Sequence, residues 1–220
     1  MAESILTLLK DSMHSISTAL LIPVIIVLML FMALVVVELG GLLAEALTKR
    51  SRAKVNVPEL VNALQGKNKQ EIRDIIAVSR LFRRQKVVLD ELIAHSNLPA
   101  DSLQALARRL LVSEELYCDG KTVRTDLVAR LGPMFGLMAT LIPLGPGLIA
   151  LGQGDVKTLA DSLLTAFDAT VSGLAAAGVA YAISRLRKRW YEDYLSSLET
   201  LMESLLEVFA HERGIAEQET

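Results

Sequence analysis

The chain has 220 residues, 52% of them hydrophobic, and a mean hydropathy of +0.41. Soluble globular domains are about 45–50% apolar, and here the excess is gathered into long blocks, which excludes an ordinary soluble protein. A formal net charge of −2 gives no reason to expect nucleic acid or an acidic substrate as a partner.

Residues 1–15 read as an N-terminal extracytoplasmic amphipathic segment, with Ile5, Leu6, Leu8, Leu9 and Met13 on a partly polar helix suited to lie along a membrane surface. The first transmembrane helix is expected over 16–47. No acidic or basic residue lies between Asp11 and Glu38, and a helix needs about 20 apolar residues to cross ~30 Å of hydrocarbon. Pro23 sits near the outer end of this span, where a membrane helix tolerates it. Glu38, beside Gly40 and Gly41, reads as an inner-end charge that reaches water. The block is too long for a cleaved signal peptide, Glu3 and Asp11 offset Lys10 before it, and basic residues follow it. A retained anchor, N-terminus outside, is expected.

Residues 48–130 are expected to form a helical cytoplasmic segment. Pro58 opens a short helix that Gly66 ends. From Asn68 to about His95, Ile72, Ile75, Ile76, Ser79, Phe82, Val87, Leu89 and Leu92 recur at three- and four-residue steps, which predicts a helix. Asn97-Leu98-Pro99 breaks the chain. The next helix carries Leu103, Leu106, Leu110 and Leu111, and Asp119-Gly120 predicts a turn before the membrane is re-entered. Cys118 is the only cysteine, so no intrachain disulfide forms and packing is its expected role.

The second transmembrane helix is expected over 131–152, a short outside loop over 153–158, the third transmembrane helix over 159–185, and a cytoplasmic C-terminal helix over 186–220 that continues the third span. That tail carries Leu195, Leu198, Leu201, Met202, Leu205 and Phe209 on one stripe. An amphipathic helix in water needs a partner surface, and a second copy of the same helix is the natural candidate. Of 23 basic residues, sixteen lie between Lys49 and Arg130 and five from Arg185 onward. Lys49, Arg50, Arg52 and Lys54 follow the first span directly. The positive-inside rule therefore sets 48–130 and the tail in the cytoplasm. The fold class is an all-α membrane protein: three transmembrane helices, a helical cytoplasmic segment, and a long C-terminal helix extending the third span.

Two spans are unlike plain anchors. The second contains Gly132, Pro133, Gly136, Thr140, Pro143 and Pro146. Small residues let helix backbones approach closely, and prolines free carbonyls that can face a cavity; a tightly packed, kinked helix without transport is the plainer reading. In the third span, Asp161, Thr165, Asp168 and Ser172 step by four, three and four, so they share one face. Thr170 lies on another face, near Ala166, Gly173 and Ala177. A carboxyl in hydrocarbon is driven toward its neutral form, and such a group exchanges a proton as its surroundings alternate between wet and dry. The plainer reading of Asp168 is a hydrogen bond to a neighbouring helix.

Enzyme chemistry finds little footing. His14, His95 and His211 are far apart, without a metal-ligand cluster. Gly152-Gln153-Gly154-Asp155 matches the Gly-x-Gly-Asp pattern of intramembrane aspartyl proteases, but the second span lacks the partner carboxylate. No cofactor is expected.

Gly132-Pro133-x-x-Gly136-Leu137-x-Ala139-Thr140 and Ala166-Phe167-Asp168-Ala169-Thr170-Val171-Ser172-Gly173-Leu174 resemble the second- and third-span signatures of the MotA/TolQ/ExbB proton-channel family. The order of elements is similar to its TolQ/ExbB branch. The resemblance implies that Thr140 and Thr170 line the ion path. It departs where the family often carries a glutamate five residues before its third-span threonine, here Thr165, and where Gly178 and Val179 replace a proline. Asp168, on another turn, is the candidate replacement for that carboxylate, and whether it takes that place is left open.

The resemblance further implies a pentamer around a dimer of a single-span ExbD/TolR/MotB-type partner, in a prokaryotic inner membrane. There the proton-carrying aspartate belongs to the partner, and ion flow turns one ring against the other. The ion is a proton or sodium, since hydroxyl-lined paths serve both. Two other readings stay open: a stand-alone channel or transporter using Asp168, and a non-conducting membrane scaffold.

Overall fold

The computed structural model describes residues 2–51 and 56–218, and no strand occurs among them. Six helices follow in order: α1 (Ala2–Ser51), α2 (Val57–Leu64), α3 (Lys69–Val78), α4 (Arg83–Ala94), α5 (Ala100–Gly152) and α6 (Val156–Gln218). Of the basic cluster after the first span, Arg52 and Lys54 lie outside the described residues. Stretches of α1, α5 and α6 are long and apolar enough to cross a membrane, as an all-α membrane protein requires. The chain divides into two compact units, Met1–Leu43 with Thr122–Leu186, and Ala44–Lys121 with Arg187–Thr220.

The first unit packs three helical stretches. Val24 and Leu28 of α1 meet Ala139 of α5, while Phe31 and Val35 meet Val128 of α5 and Ala176 and Ala180 of α6. Rising numbers on α1 thus pair with falling numbers on α5, so the two helices run antiparallel. Phe31 and Phe135 fix this register with an edge-to-face contact, centroids 5.7 Å apart. α1 is unbroken from Ala2, with no interruption at residue 15 or at Pro23. α5 likewise runs through Pro133, Pro143 and Pro146.

The second unit is built around Leu64, Ile72, Ile76, Leu89, Leu92 and Leu103. Its other half comes from the tail: Leu198, Leu201, Met202, Leu205 and Phe209 of α6 are buried in the same core. Each such side chain contributes about 1.5–3 kcal/mol when fully buried. The stripe on the tail is therefore covered by helices of its own chain, not by a second copy. Periodicity reports that a face is buried; it does not report against what.

Two further expectations are corrected. The segment 68–95 is two helices, because the chain leaves helical geometry at Ser79. There the Ser79 amide still donates to the Ile75 carbonyl (3.0 Å), closing α3. The Phe82 amide donates to Gln85 Oε1 (3.1 Å), opening α4. This break resets the helical phase, so Val88 is buried and Val87 stands 62% exposed. Asp119-Gly120 is not a turn, since α5 passes straight through both. A glycine costs a helix interior only about 1 kcal/mol, and Cys118 and Thr122, buried on either side, hold the helix in place.

Candidate functional site

Spans two and three are joined by a three-residue turn, Gln153–Asp155, in which Gly154 adopts φ +82°. Asp155 caps α6: the Thr158 amide donates to its Oδ1 (3.1 Å) and the Thr158 hydroxyl to its Oδ2 (2.5 Å). These bonds hold the Asp155 carboxyl below the usual carboxylate range. The Gly-x-Gly-Asp pattern is a helix cap here, consistent with the hydrogen bonding that favours aspartate at this position.

From that turn the two spans close on each other through small residues. A Cβ placed on Gly132 would stand 2.9 Å from the Gly173 carbonyl oxygen and 3.0 Å from the Ala177 Cβ. One on Gly173 would stand 2.8 Å from the Gly132 carbonyl oxygen and 3.1 Å from the Gly136 Cα. The backbones touch, as small residues allow between membrane helices. Pro143 is buried, Pro133 half-buried and Pro146 exposed.

Thr170 is set on this seam. Its hydroxyl donates to the Ala166 carbonyl (2.9 Å) and reaches toward the Gly136 carbonyl on the facing span (3.5 Å). Thr140 continues the Gly132, Gly136 face by one more four-residue step; it is half-buried and donates to the Leu137 carbonyl (2.7 Å). Thr165, Asp168 and Ser172 are elsewhere. They line a groove of about 780 Å³ against Leu28, Met29, Met32 and Val36 of α1. Two residues along a helix turn the side chain by about 200°, which is why Asp168 and Thr170 look in different directions. The candidates thus fall into two groups, a seam pair and a groove triad.

Three polar features of the structure were not singled out from the sequence. At the end of the seam remote from the Gln153–Asp155 turn, Ser184 of α6 donates a hydrogen bond to Asp126 Oδ1 of α5. Beside them Thr125 is fully buried, with its hydroxyl on the Thr122 carbonyl (2.9 Å), and Thr122 is buried too. Thr122, Thr125 and Asp126 share the i, i+3, i+4 spacing of one helix face, a signal the sequence did carry. On α1, Glu38 is half-buried one turn beyond Val35, which in the antiparallel register is the level of Thr125 and Asp126.

In the second unit, Glu114 is buried between Arg84 and Tyr194. Arg84 meets it through both Nε (3.1 Å) and Nη2 (2.7 Å), and the Tyr194 hydroxyl donates to Oε2 (2.9 Å). The Arg84 guanidinium also lies 3.6 Å above the Tyr117 ring. Burial pushes the Glu114 carboxyl up, but the bonds from Arg84 and Tyr194 and the Arg84 charge outweigh it, and the net shift is downward. Tyr194 is raised, by burial first and then by Glu114. Glu45, in the same unit, lies 3.6 Å from the Arg187 guanidinium; Tyr191 is pushed up to about 12, first by its burial and then by the Glu45 charge.

Comparison with protein families matches residues 80–200, more than half of the chain, to the MotA/TolQ/ExbB proton channel family. The chain belongs to this family. The matched region contains the whole glycine seam with Thr140 and Thr170, and leaves α1 outside it. No curated protein matches the chain. MotA/TolQ/ExbB proteins are a channel family, and three helices long and apolar enough to cross a membrane fit a multi-pass membrane component of that kind.

Proposed function

We propose that the chain is the ion-conducting subunit of a membrane motor driven by the proton-motive force. Five copies surround a dimer of a single-span ExbD/TolR/MotB-type partner, and ion flow is converted into mechanical work. The N-terminus is outside and the C-terminus cytoplasmic, in a prokaryotic inner membrane. The carried ion is a proton, with sodium as the alternative.

The observation that supports this best is the placement of Thr170. In a member of a channel family, its hydroxyl stands against the backbone of the facing span, on a seam closed by glycine. Moving one charge through 100 mV yields about 2.3 kcal/mol, enough to bias a packed interface between two arrangements. The test is native mass spectrometry of the complex extracted from its host, together with Thr170→Val. Five copies with two of a small single-span protein, and loss of ion flux in the variant with assembly intact, are expected. A monomer or dimer under gentle extraction sinks the motor reading.

A second reading is favoured by the groove. Asp168, Thr165 and Ser172 line it together, as a transporter with its own carboxylate requires. It expects ion flux from the purified chain alone, lost in Asp168→Asn. Flux that needs the partner and survives Asp168→Asn eliminates it.

A further inference from the structure

Asp126 and Ser184 lie at the inner end of the seam, outside both groups of residues considered above. Ser184 is 2% exposed and donates to Asp126 across the two helices, while Thr125 is 0% and Thr122 3% exposed beside them. Asp126 itself is half-buried, so its carboxyl sits where the packed seam opens.

A structural clasp at this place needs no ionisable group. Farther along, the same two helices close by contact of Gly132, Gly136, Gly173 and Ala177, without an ionisable group. A neutral amide would also accept the serine hydrogen bond, and would carry no cost of desolvating a charge. Asp126 stands just before Arg130, at the margin of the second span, and a carboxyl set there beside buried hydroxyls can take up a proton and pass it to water. The charged groups around it are Arg124 and Arg130 on its own helix, Arg185 on α6, all exposed, and Glu38 at the same level on α1.

We infer that Asp126 is a proton-binding station at the inner mouth of the ion path, with Ser184 as its positioning residue. This rests on the ion-path reading and on the inward orientation of this end. A proton leaving the path binds the Asp126 carboxylate to give the neutral acid, which then releases it to water. The Ser184 hydroxyl keeps its own proton throughout and holds the carboxyl at the mouth.

The test uses the complex extracted through an affinity tag on this chain, reconstituted in liposomes with an internal pH dye and driven by a potassium diffusion potential. Asp126→Asn keeps the hydrogen-bond acceptor and removes the titrating group. Its proton flux is expected to fall about 100-fold, the low end for losing a positioned proton-transfer group, with assembly unchanged by native mass spectrometry. Asp126→Glu restores flux; Ser184→Ala gives a smaller loss that Ser184→Thr recovers. If Asp126→Asn conducts like the parent while Thr170→Val does not, the station is wrong and the path stands. If both conduct like the parent, the path reading itself fails. If Asp126→Asn disrupts assembly and Asp126→Glu does not repair conduction, the pair is a structural clasp and the station is again wrong.

Discussion

The carbonyl oxygen of Gly132 stands 2.8 Å from the position a Cβ on Gly173 would occupy. That distance is shorter than real Cβ contacts reach, and the obstructing atom is backbone, which cannot rotate away. Gly173→Ala and Gly132→Ala are therefore expected to push the spans apart, each at about 1–3 kcal/mol, the usual cost of overpacking. Gly136→Ala is expected to be nearly neutral, because its Cβ would meet the Thr170 Cα at an ordinary 3.6 Å. Thermal unfolding in detergent separates the three. Equal tolerance at all three positions contradicts the seam.

Thr170 and Thr140 carry hydroxyls whose bonds to Ala166 and Leu137 are within their own helix. Replacing either by valine keeps shape and leaves the helix intact. Thr170→Val is expected to lower ion flux by about tenfold or more, equivalent to about 1.4 kcal/mol on the barrier, and Thr140→Val by less. Flux assays on complexes with unchanged subunit count check this.

Phe209 is fully enclosed in the core of the second unit with Leu201 and Leu205. Phe209→Ala is expected to destabilise that unit by about 3–5 kcal/mol. The loss should not depend on protein concentration, because the partner surface belongs to the same chain. A concentration-dependent midpoint indicates a second copy on the stripe instead.

The Arg84–Glu114–Tyr194 cluster makes the second unit sensitive to pH at both ends. Glu114 titrates below its ordinary value of 4.5, so its contribution is present above that pH and is lost as the pH falls through the lower folded value. Tyr194 titrates above its ordinary value of 10.0, so its contribution is complete below that pH and fades as alkali carries the pH through the raised value. Glu114→Gln should flatten the acid limb of the stability profile. Arg84→Met, which strands a buried carboxylate, should cost about 1–3 kcal/mol near neutrality. An acid limb unchanged in Glu114→Gln refutes the assignment.

The spans were legible because the demands of hydrocarbon are coarse: some 20 apolar residues and no uncompensated charge. The fold class followed from that level of reading, while the signatures around Thr140 and Thr170 were recognised by resemblance to the family. Local breaks were less legible. Ser79 fits the helical period, and only the Gln85 side chain capping the Phe82 amide reveals a new start. Asp119-Gly120 has turn chemistry, yet burial of Cys118 and Thr122 overrides it. The Asp126–Ser184 pair joins residues 58 apart in sequence, and each sits at the margin of an uncharged block, where attention to the blocks passes over it.

The glycine seam limits how this protein can move. Where the backbones of Gly132 and Gly173 touch there are no rotamers to exchange, so spans two and three are expected to move together. Sliding must occur along the other boundary of the first unit, where Met29 and Met32 of α1 line the groove. Unbranched thioether chains refill space as their neighbours shift. Movement in the first unit is thus expected as shear of α1 over the hairpin, which has to repack the Phe31–Phe135 contact while the methionines refill the groove.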